Sequence, residues 1–432
     1  MIVVDTLRRD HVSAYAALTS SSPDKGAKSA QDARSVPART PNIDRLAAEG
    51  QIFRKAISAF HATTMSMSAL FTGLTPSIES GSQRASLEWN TFVACGMSRF
   101  SVPGKDDGCV PQSLDTLAED LKGAGYWTLG VVANELLYRP AGYDQGFDEW
   151  LEVGSTPPDL EKNMFTVARV RTASDVNRVV LQALAKRPSD RFFLYVHYID
   201  VHDWSLFRRS YQESVELFDQ LLGELLDRLE ADGLLENATV ILTSDHGEML
   251  VDKHLEIKTV RHYGNPSFEP LMEIPLIVTP PTQTDPAAMI RSQDVRGMIG
   301  RIAGIGGGPA RDLAPDELYV SEMDFQHYRK GRFKSLWARK GPSIMLFDLD
   351  ADPGEYVNLA DERADILAEH RSRIDELSRA LASNPSQVLP LSDEDLERLR
   401  MLGYLDSTQS EFLNHPVISE APATRERATE PN

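Results

Sequence analysis

Five short runs of dense apolar residues, at 2–5, 128–133, 192–197, 239–244 and 275–279, are spaced along the chain by stretches of helical periodicity. Each run is rich in Val, Ile, Leu or Phe with little polar alternation, which suits strands buried on both faces. The intervening segments 42–49, 66–72, 113–124, 173–185 and 210–232 read as helices. In the last of them Val215, Leu217, Phe218, Leu221, Leu222, Leu225, Leu226 and Leu229 recur at helical spacing, which predicts a stripe facing a core. Strands alternating with helices predict an α/β fold, a mostly parallel sheet with helices on both faces.

The length of 432 residues accommodates that large domain and a smaller one. A glycine-rich stretch at 304–309 places the end of the first domain near residue 310. Strand-like pieces at 318–320, 334–338 and 344–348, then a helix at about 360–382, predict a small α+β domain over 311–406. The polar, proline-containing tail 407–432 is expected to be disordered, and 18–38 and 81–110 are expected to be surface insertions. Cys95 and Cys109 fall in the second insertion, as a local disulfide or as two thiols; neither has partners at metal-ligand spacing.

Acidic residues outnumber basic ones 64 to 45, for a formal net charge of −19. That balance excludes a chain built to wrap nucleic acid, which needs clustered Lys and Arg. No run is long and apolar enough for a transmembrane helix. Met1 leads directly into the first strand, so the compartment stays open: periplasmic or extracellular if the true start lies upstream, otherwise cytoplasmic.

In an open α/β sheet, functional groups gather at the carboxyl ends of strands. Two such ends carry acidic residues here, Val4-Asp5-Thr6 and Ser244-Asp245-His246. An Asp-His pair offers a hard oxygen and an imidazole nitrogen together, a donor set that suits Zn²⁺ or Mn²⁺, and Asp5 would complete the site from a neighbouring strand. A strand-terminal Asp also serves commonly as a helix cap, so each motif alone is ambiguous.

The combination resembles the bacterial sulfatase-like hydrolases of the alkaline phosphatase superfamily. The resemblance runs through Asp5-Thr6-Leu7-Arg8-Arg9-Asp10-His11, Thr40-Pro41-Asn42-Ile43-Asp44, Thr63-Thr64-Met65-Ser66-Met67, the segments 117–126 and 142–150, Asp200-Val201-His202-Asp203, 243–248 and His262-Tyr263-Gly264-Asn265. It ends in Gly331-Arg332-Phe333-Lys334 and the stretch 347–355, so it covers nearly the whole chain in order. It implies an alkaline-phosphatase-like three-layer αβα sandwich with a small C-terminal α+β domain. It also implies a divalent metal ion (Zn²⁺, Mn²⁺ or Ca²⁺) on Asp5, Asp245 and His246, with Thr63 as nucleophile. His202 and His262 then match family histidines that hydrogen-bond the ester or protonate its leaving group. The implied substrate is a sulfate or phosphate ester of a small molecule, glycan or lipid.

The sequence departs from that pattern at the nucleophile. Sulfatases carry Cys-x-Pro-Ser-Arg, whose cysteine becomes formylglycine, and here Thr63-Thr64-Met65-Ser66-Met67 occupies the segment. Thr6 replaces the second aspartate of the usual pair, and Asn134 falls near a position usually held by lysine. Three readings therefore stand: a metal-dependent hydrolase of sulfate or phosphate esters, a phosphoalcohol transferase, or a catalytically inactive sulfatase-like binding protein. Met65 and Met67 speak for the last, since they put apolar side chains where an anion clamp is expected. Thr64 and Ser66 are alternative nucleophiles, and Asp200 or His202 is a candidate for a second metal site.

Overall fold

A computed structural model describes residues 1–20, 37–76, 109–110, 112, 114–154, 171–250, 253–254, 257–258, 266–307, 313–322, 325–339 and 341–381. Most of the expected insertions 18–38 and 81–110, and the tail 407–432, lie outside the described residues.

The apolar runs form strands of one sheet. In chain order the strands up to residue 291 are β1 (Ile2–Val4), β2 (Gln51–Ile52), β3 (Lys55–Ile57), β4 (Trp127–Val132), β5 (Glu149–Glu152), β6 (Phe192–Tyr198), β7 (Val240–Ser244), β8 (Lys253–His254), β9 (Ile257–Lys258), β10 (Leu276–Thr279) and β11 (Met289–Arg291). Seven of them pair in the order β2-β10-β7-β1-β6-β4-β5. The block from β7 to β5 is parallel throughout, while β10 runs antiparallel to both its neighbours.

Side chains on a strand alternate between faces. Ile2, Val4, Val196, Tyr198 and Leu242 accordingly enter one core with the helices Pro41–Glu49, Ala173–Leu184 and Tyr211–Ala231. Val3, Phe193, Tyr195 and Ile241 enter the other, under the helices Thr63–Thr72, Leu117–Gly123 and Asp294–Ile302. The result is the expected three-layer sandwich.

Helix starts follow local chemistry. Thr116 with Glu119, and Ser210 with Glu213, form reciprocal capping boxes, which set the first residues of Leu117–Gly123 and Tyr211–Ala231. In the second helix Val215, Phe218, Leu222, Leu225, Leu226 and Leu229 are buried as the stripe predicts, with Leu217 and Leu221 at its margins.

Beyond residue 313 four antiparallel strands, β12 (Glu317–Ser321), β13 (Phe325–Lys330), β14 (Phe333–Ala338) and β15 (Ile344–Asp348), pair in sequence order. The sequence reading found three of these and missed β13, whose Gln326, His327 and Arg329 break the apolar signal although all are buried. One face packs on the helix Ala364–Leu381 through Tyr319, Tyr328, Ile374 and Leu377. The other face puts Leu318, Val320, Leu336 and Phe347 into one apolar cluster with Phe60, Met65 and Phe268. The small sheet thus leans on the segment that begins the Thr63–Thr72 helix.

Candidate active site

Strand alternation decides which side chains meet. Asp5 lies two residues past Val3, Asp245 four past Ile241, and His197 two past Tyr195, so all three belong to the face covered by the Thr63–Thr72 helix. Because β1 lies between β7 and β6, Asp5 and Asp245 leave adjacent strand ends. Ligand atoms of Asp5, Asp245 and His246 lie within 4.8 Å of one another, and all three residues are fully buried. Thr63 Oγ1, itself fully buried, stands 3.4 Å from His246 Nε2 beside this group.

Each member is fixed by its neighbours. Asn134 donates to Asp5 Oδ2 at 2.6 Å. The backbone N–H groups of Thr6 and His246 both donate to Asp245 Oδ1, at 3.0 and 2.8 Å. To aim its N–H there Thr6 takes φ +59°, a left-handed conformation costly for a β-branched residue. Tyr211 holds that turn by donating its hydroxyl to the Thr6 carbonyl and accepting from the Arg8 N–H. His246 Nδ1 donates to the Gly247 carbonyl at 2.8 Å, which leaves the lone pair on Nε2, the nitrogen facing Thr63 and the carboxylates.

Burial, and then the negative charge of Asp245, pushes the Asp5 carboxyl well above the ordinary range, against the opposing bond from Asn134. Burial opposes ionisation of Asp245 too, but His246 and His197 beside it hold its carboxyl below that range. His197 Nε2 lies 3.8 Å from Asp245 Oδ2. Asp5 Oδ1, Asp245 Oδ2 and Thr6 Oγ1 are buried without a hydrogen-bond partner among the described residues. Two carboxylate oxygens without a partner among the described residues, with an imidazole nitrogen close by, fit a divalent cation of the Zn²⁺ or Mn²⁺ type.

The helix carrying Thr63 begins three residues earlier than expected. Ala62, extended at φ −146°, is its N-cap, and Thr63 is the first helical residue rather than the cap. Its hydroxyl lies beside His246 at the N-terminal end of the helix, where the first N–H groups have no partner within the helix ladder. Ser66 donates to the Asp245 carbonyl at 2.5 Å, which ties the helix to β7 and commits the hydroxyl that had been an alternative nucleophile. Met67 sits under Tyr195 in the core below the helix, and Met65 joins the cluster shared with the C-terminal sheet. Both are core residues, so they do not speak for an inactive scaffold.

His202 and Asp203 open a 3₁₀ turn, His202–Ser205, just past the end of β6. Asp200 accepts from the N–H of Ala173 at 2.8 Å and so secures the start of the helix Ala173–Leu184. Among the described residues one acidic-histidine group has metal-binding spacing, Asp5 with Asp245 and His246, and neither Asp200 nor His202 belongs to it. His262 lies outside the described residues. Sequence reasoning gave no role to His197 or Tyr211. For His197 a signal existed, the strand parity that aligns it with Asp5, whereas the reach of Tyr211 across 205 residues had none.

A family model described as Sulfatase matches residues 1–299. N-acetylgalactosamine-6-sulfatase of Mus musculus is 28% identical over 250 residues, 49% of this chain and 46% of that protein. Choline-sulfatase of Rhizobium meliloti (strain 1021) is 27% identical over 174 residues, 36% of this chain and 33% of that one. The match thus spans less than half the length of these relatives. Among solved structures, a 2-O GAG sulfatase superposes with TM-score 0.62 at 16% identity, covering 93% of this chain and 95% of that one. The phosphonate monoester hydrolase of Agrobacterium radiobacter gives 0.60 at 15%, covering 91% and 98%. At such identities these neighbours speak to the fold.

Proposed function

This chain belongs to the sulfatase family, and we propose that it is a metal-dependent hydrolase of sulfate or phosphate esters that uses Thr63 as its nucleophile in place of a formylglycine. The observation that carries the reading is the position of Thr63 Oγ1, 3.4 Å from His246 Nε2 at the edge of the buried Asp5, Asp245 and His246 group. When bound by those three residues, a divalent ion supplies Lewis acidity, lowering the pKa of an oxygen nucleophile and drawing charge from the ester oxygens.

The protein's own groups do the rest. Thr63 loses its hydroxyl proton to solvent and its Oγ bonds to the sulfur or phosphorus as the bond to the ester oxygen breaks, and the departing oxygen takes a proton from His202 or His262. The N-terminal turn of the Thr63–Thr72 helix faces the anionic ester with its N–H groups. Water then cleaves the Thr63 ester; a threonine has no aldehyde hydrate through which to eliminate sulfate. Asn134 is spent on Asp5, so anion recognition falls to the helix terminus rather than to a lysine at that position.

The test is turnover of 4-nitrophenyl sulfate, 4-nitrophenyl phosphate and a 4-nitrophenyl phosphodiester, each with Mn²⁺, Zn²⁺, Ca²⁺ and Mg²⁺. One ester class is hydrolysed, and Thr63→Ala abolishes that turnover while Ser66→Ala retains the nucleophile. Full activity in Thr63→Ala would move the nucleophile elsewhere, and silence across the panel would overturn the hydrolase reading.

A further inference from the structure

Beside the metal-type group lies a second buried charged assembly. Asp203 and Arg171 are completely enclosed, and the guanidinium grips the carboxylate from two sides. Nε and Nη2 of Arg171 donate to Asp203 Oδ2 at 3.1 and 2.7 Å, and Nη2 also donates to Oδ1 at 3.0 Å. Oδ1 has a further neighbour, Nδ1 of His202, at 3.0 Å. The assembly sits where β6 leaves the sheet. Asp5 donates its N–H to the Tyr198 carbonyl at 2.8 Å, and His202 follows four residues later. The charge of Asp203 is felt at Asp5, where it adds to the upward push on that carboxyl.

We propose that Asp203, clamped by Arg171, is a positioning residue that holds His202 with its proton on Nδ1 and so reserves Nε2 for proton exchange with the leaving-group oxygen. The inference rests on the ester-hydrolase reading for the identity of that oxygen, though the ring's orientation stands apart from it. An ionised carboxylate accepts and cannot donate, so its contact with Nδ1 requires a proton there. Arg171 keeps the carboxylate ionised: burial opposes the charge, but the guanidinium and then His202 hold it below the usual range.

Both half-reactions then balance on one ring. In the first, Thr63, its hydroxyl proton already released to solvent, bonds through Oγ to sulfur or phosphorus, the bond to the leaving oxygen breaks, and the Nε2 proton of the imidazolium passes to that oxygen. The ring is left neutral with its Nδ1 proton on Asp203. In the second, water attacks the sulfur or phosphorus and gives a proton to Nε2, the bond to Thr63 Oγ breaks, and both the Thr63 alkoxide and the imidazolium are restored.

The clamp also predicts what the amide would do. In Asp203→Asn the carbonyl oxygen is drawn to the Oδ2 side, where two Arg171 donors converge, and the amide N–H₂ is turned toward His202 Nδ1. The ring must then accept at Nδ1 and carry its proton on Nε2, the wrong tautomer for a neutral base.

Two measurements on the full-length protein test this. The first is nitrogen NMR with ¹⁵N-labelled histidine at a pH where the ring is neutral, the His202 signal being assigned by its loss in His202→Gln. The wild type shows Nδ1 protonated, and Asp203→Asn shows Nε2 protonated. The second is a leaving-group series of aryl esters. Asp203→Asn loses on the order of 10²-fold in kcat with phenyl leaving groups, which need a proton, but only a few-fold with 4-nitrophenyl. A merely structural defect lowers both alike.

Should Asp203→Asn fail to fold, the wild-type tautomer still decides the matter, and Arg171→Lys, which keeps the buried charge, gives a smaller loss with the same selectivity. An Nε2-protonated ring in the wild type overturns the proposal, as does a uniform loss across the series. If the wild type hydrolyses no ester, the functional reading fails, while the tautomer still reports on the clamp.

Discussion

At the scale of single residues, the centre depends on groups whose ionisation the protein has set against its surroundings. Asp5 and Asp245 share a buried space, and a cation between them relieves their mutual repulsion. Metal analysis of the purified wild type is expected to give about one equivalent, against a small fraction in Asp245→Asn; equal contents would remove the site. Asp200 offers a pH-dependent counterpart outside that centre. Burial raises its carboxyl to about 7, with the charge of Asp203 adding to the rise and the bond from Ala173 opposing it. The folded state therefore favours the protonated acid. Its stabilising contribution is complete below the unfolded value near 4 and is lost as pH rises through 7, roughly 4 kcal/mol in all. Asp200→Asn, which can still accept from Ala173, should raise Tm at pH 8.5 and change little at pH 4; thermal melts at the two values check it. The grouping of Asp5, Asp245 and His246 was legible because their residue types stand at strand ends. Tyr211 and the clamp on Asp203 were not, since a hydrogen bond between positions distant in sequence leaves no local pattern.

At the scale of elements, legibility followed burial. Strands covered on both faces, such as β6 and β7, announce themselves as apolar runs, whereas the edge strands β2 and β5 do not. β5 has only Trp150 fully inside, and its fit depends on a residue in the next strand. Gly130 of β4 pairs with Trp150 in register, and a Cβ on Gly130 would come within 2.2 Å of the indole. The ring also stacks on Tyr195, with centroids 6.0 Å apart. Gly130→Ala is expected to displace the indole, weaken the β4–β5 edge and cost about 1–3 kcal/mol. Urea unfolding measures the cost, and the near-ultraviolet tryptophan signal reports the displacement; an unchanged signal with unchanged stability would refute it.

At the scale of the whole molecule, the C-terminal sheet is joined to the main body by charge as well as by apolar packing. Lys334 of β14, fully buried, donates to Glu269 at 2.9 Å and pairs with Glu355 at 2.7 Å, while Arg329 reaches Glu269 at 2.9 Å. Glu269 begins the short helix that leads toward β10, so the network bridges the two sheets. The stretch around Lys334 and Glu355 stood out in the sequence as a family signature, but its purpose became visible only when Glu269 was found between them. Lys334→Met should cost about 3–5 kcal/mol, because it strands buried carboxylates, and a loss under about 1 kcal/mol in chemical denaturation would contradict that. The central position of β1 has a consequence for synthesis. Both of its hydrogen-bonding edges are claimed by strands encoded far downstream, β6 from residue 192 and β7 from residue 240. As the chain leaves the ribosome, β1 waits with two open edges for well over a hundred residues, and Asp5 meets His246 only after most of the seven-stranded sheet has emerged. The nascent chain is thus an apolar template in search of a partner before it is anything that can hold a metal, and its early half is where a chaperone has most to shield.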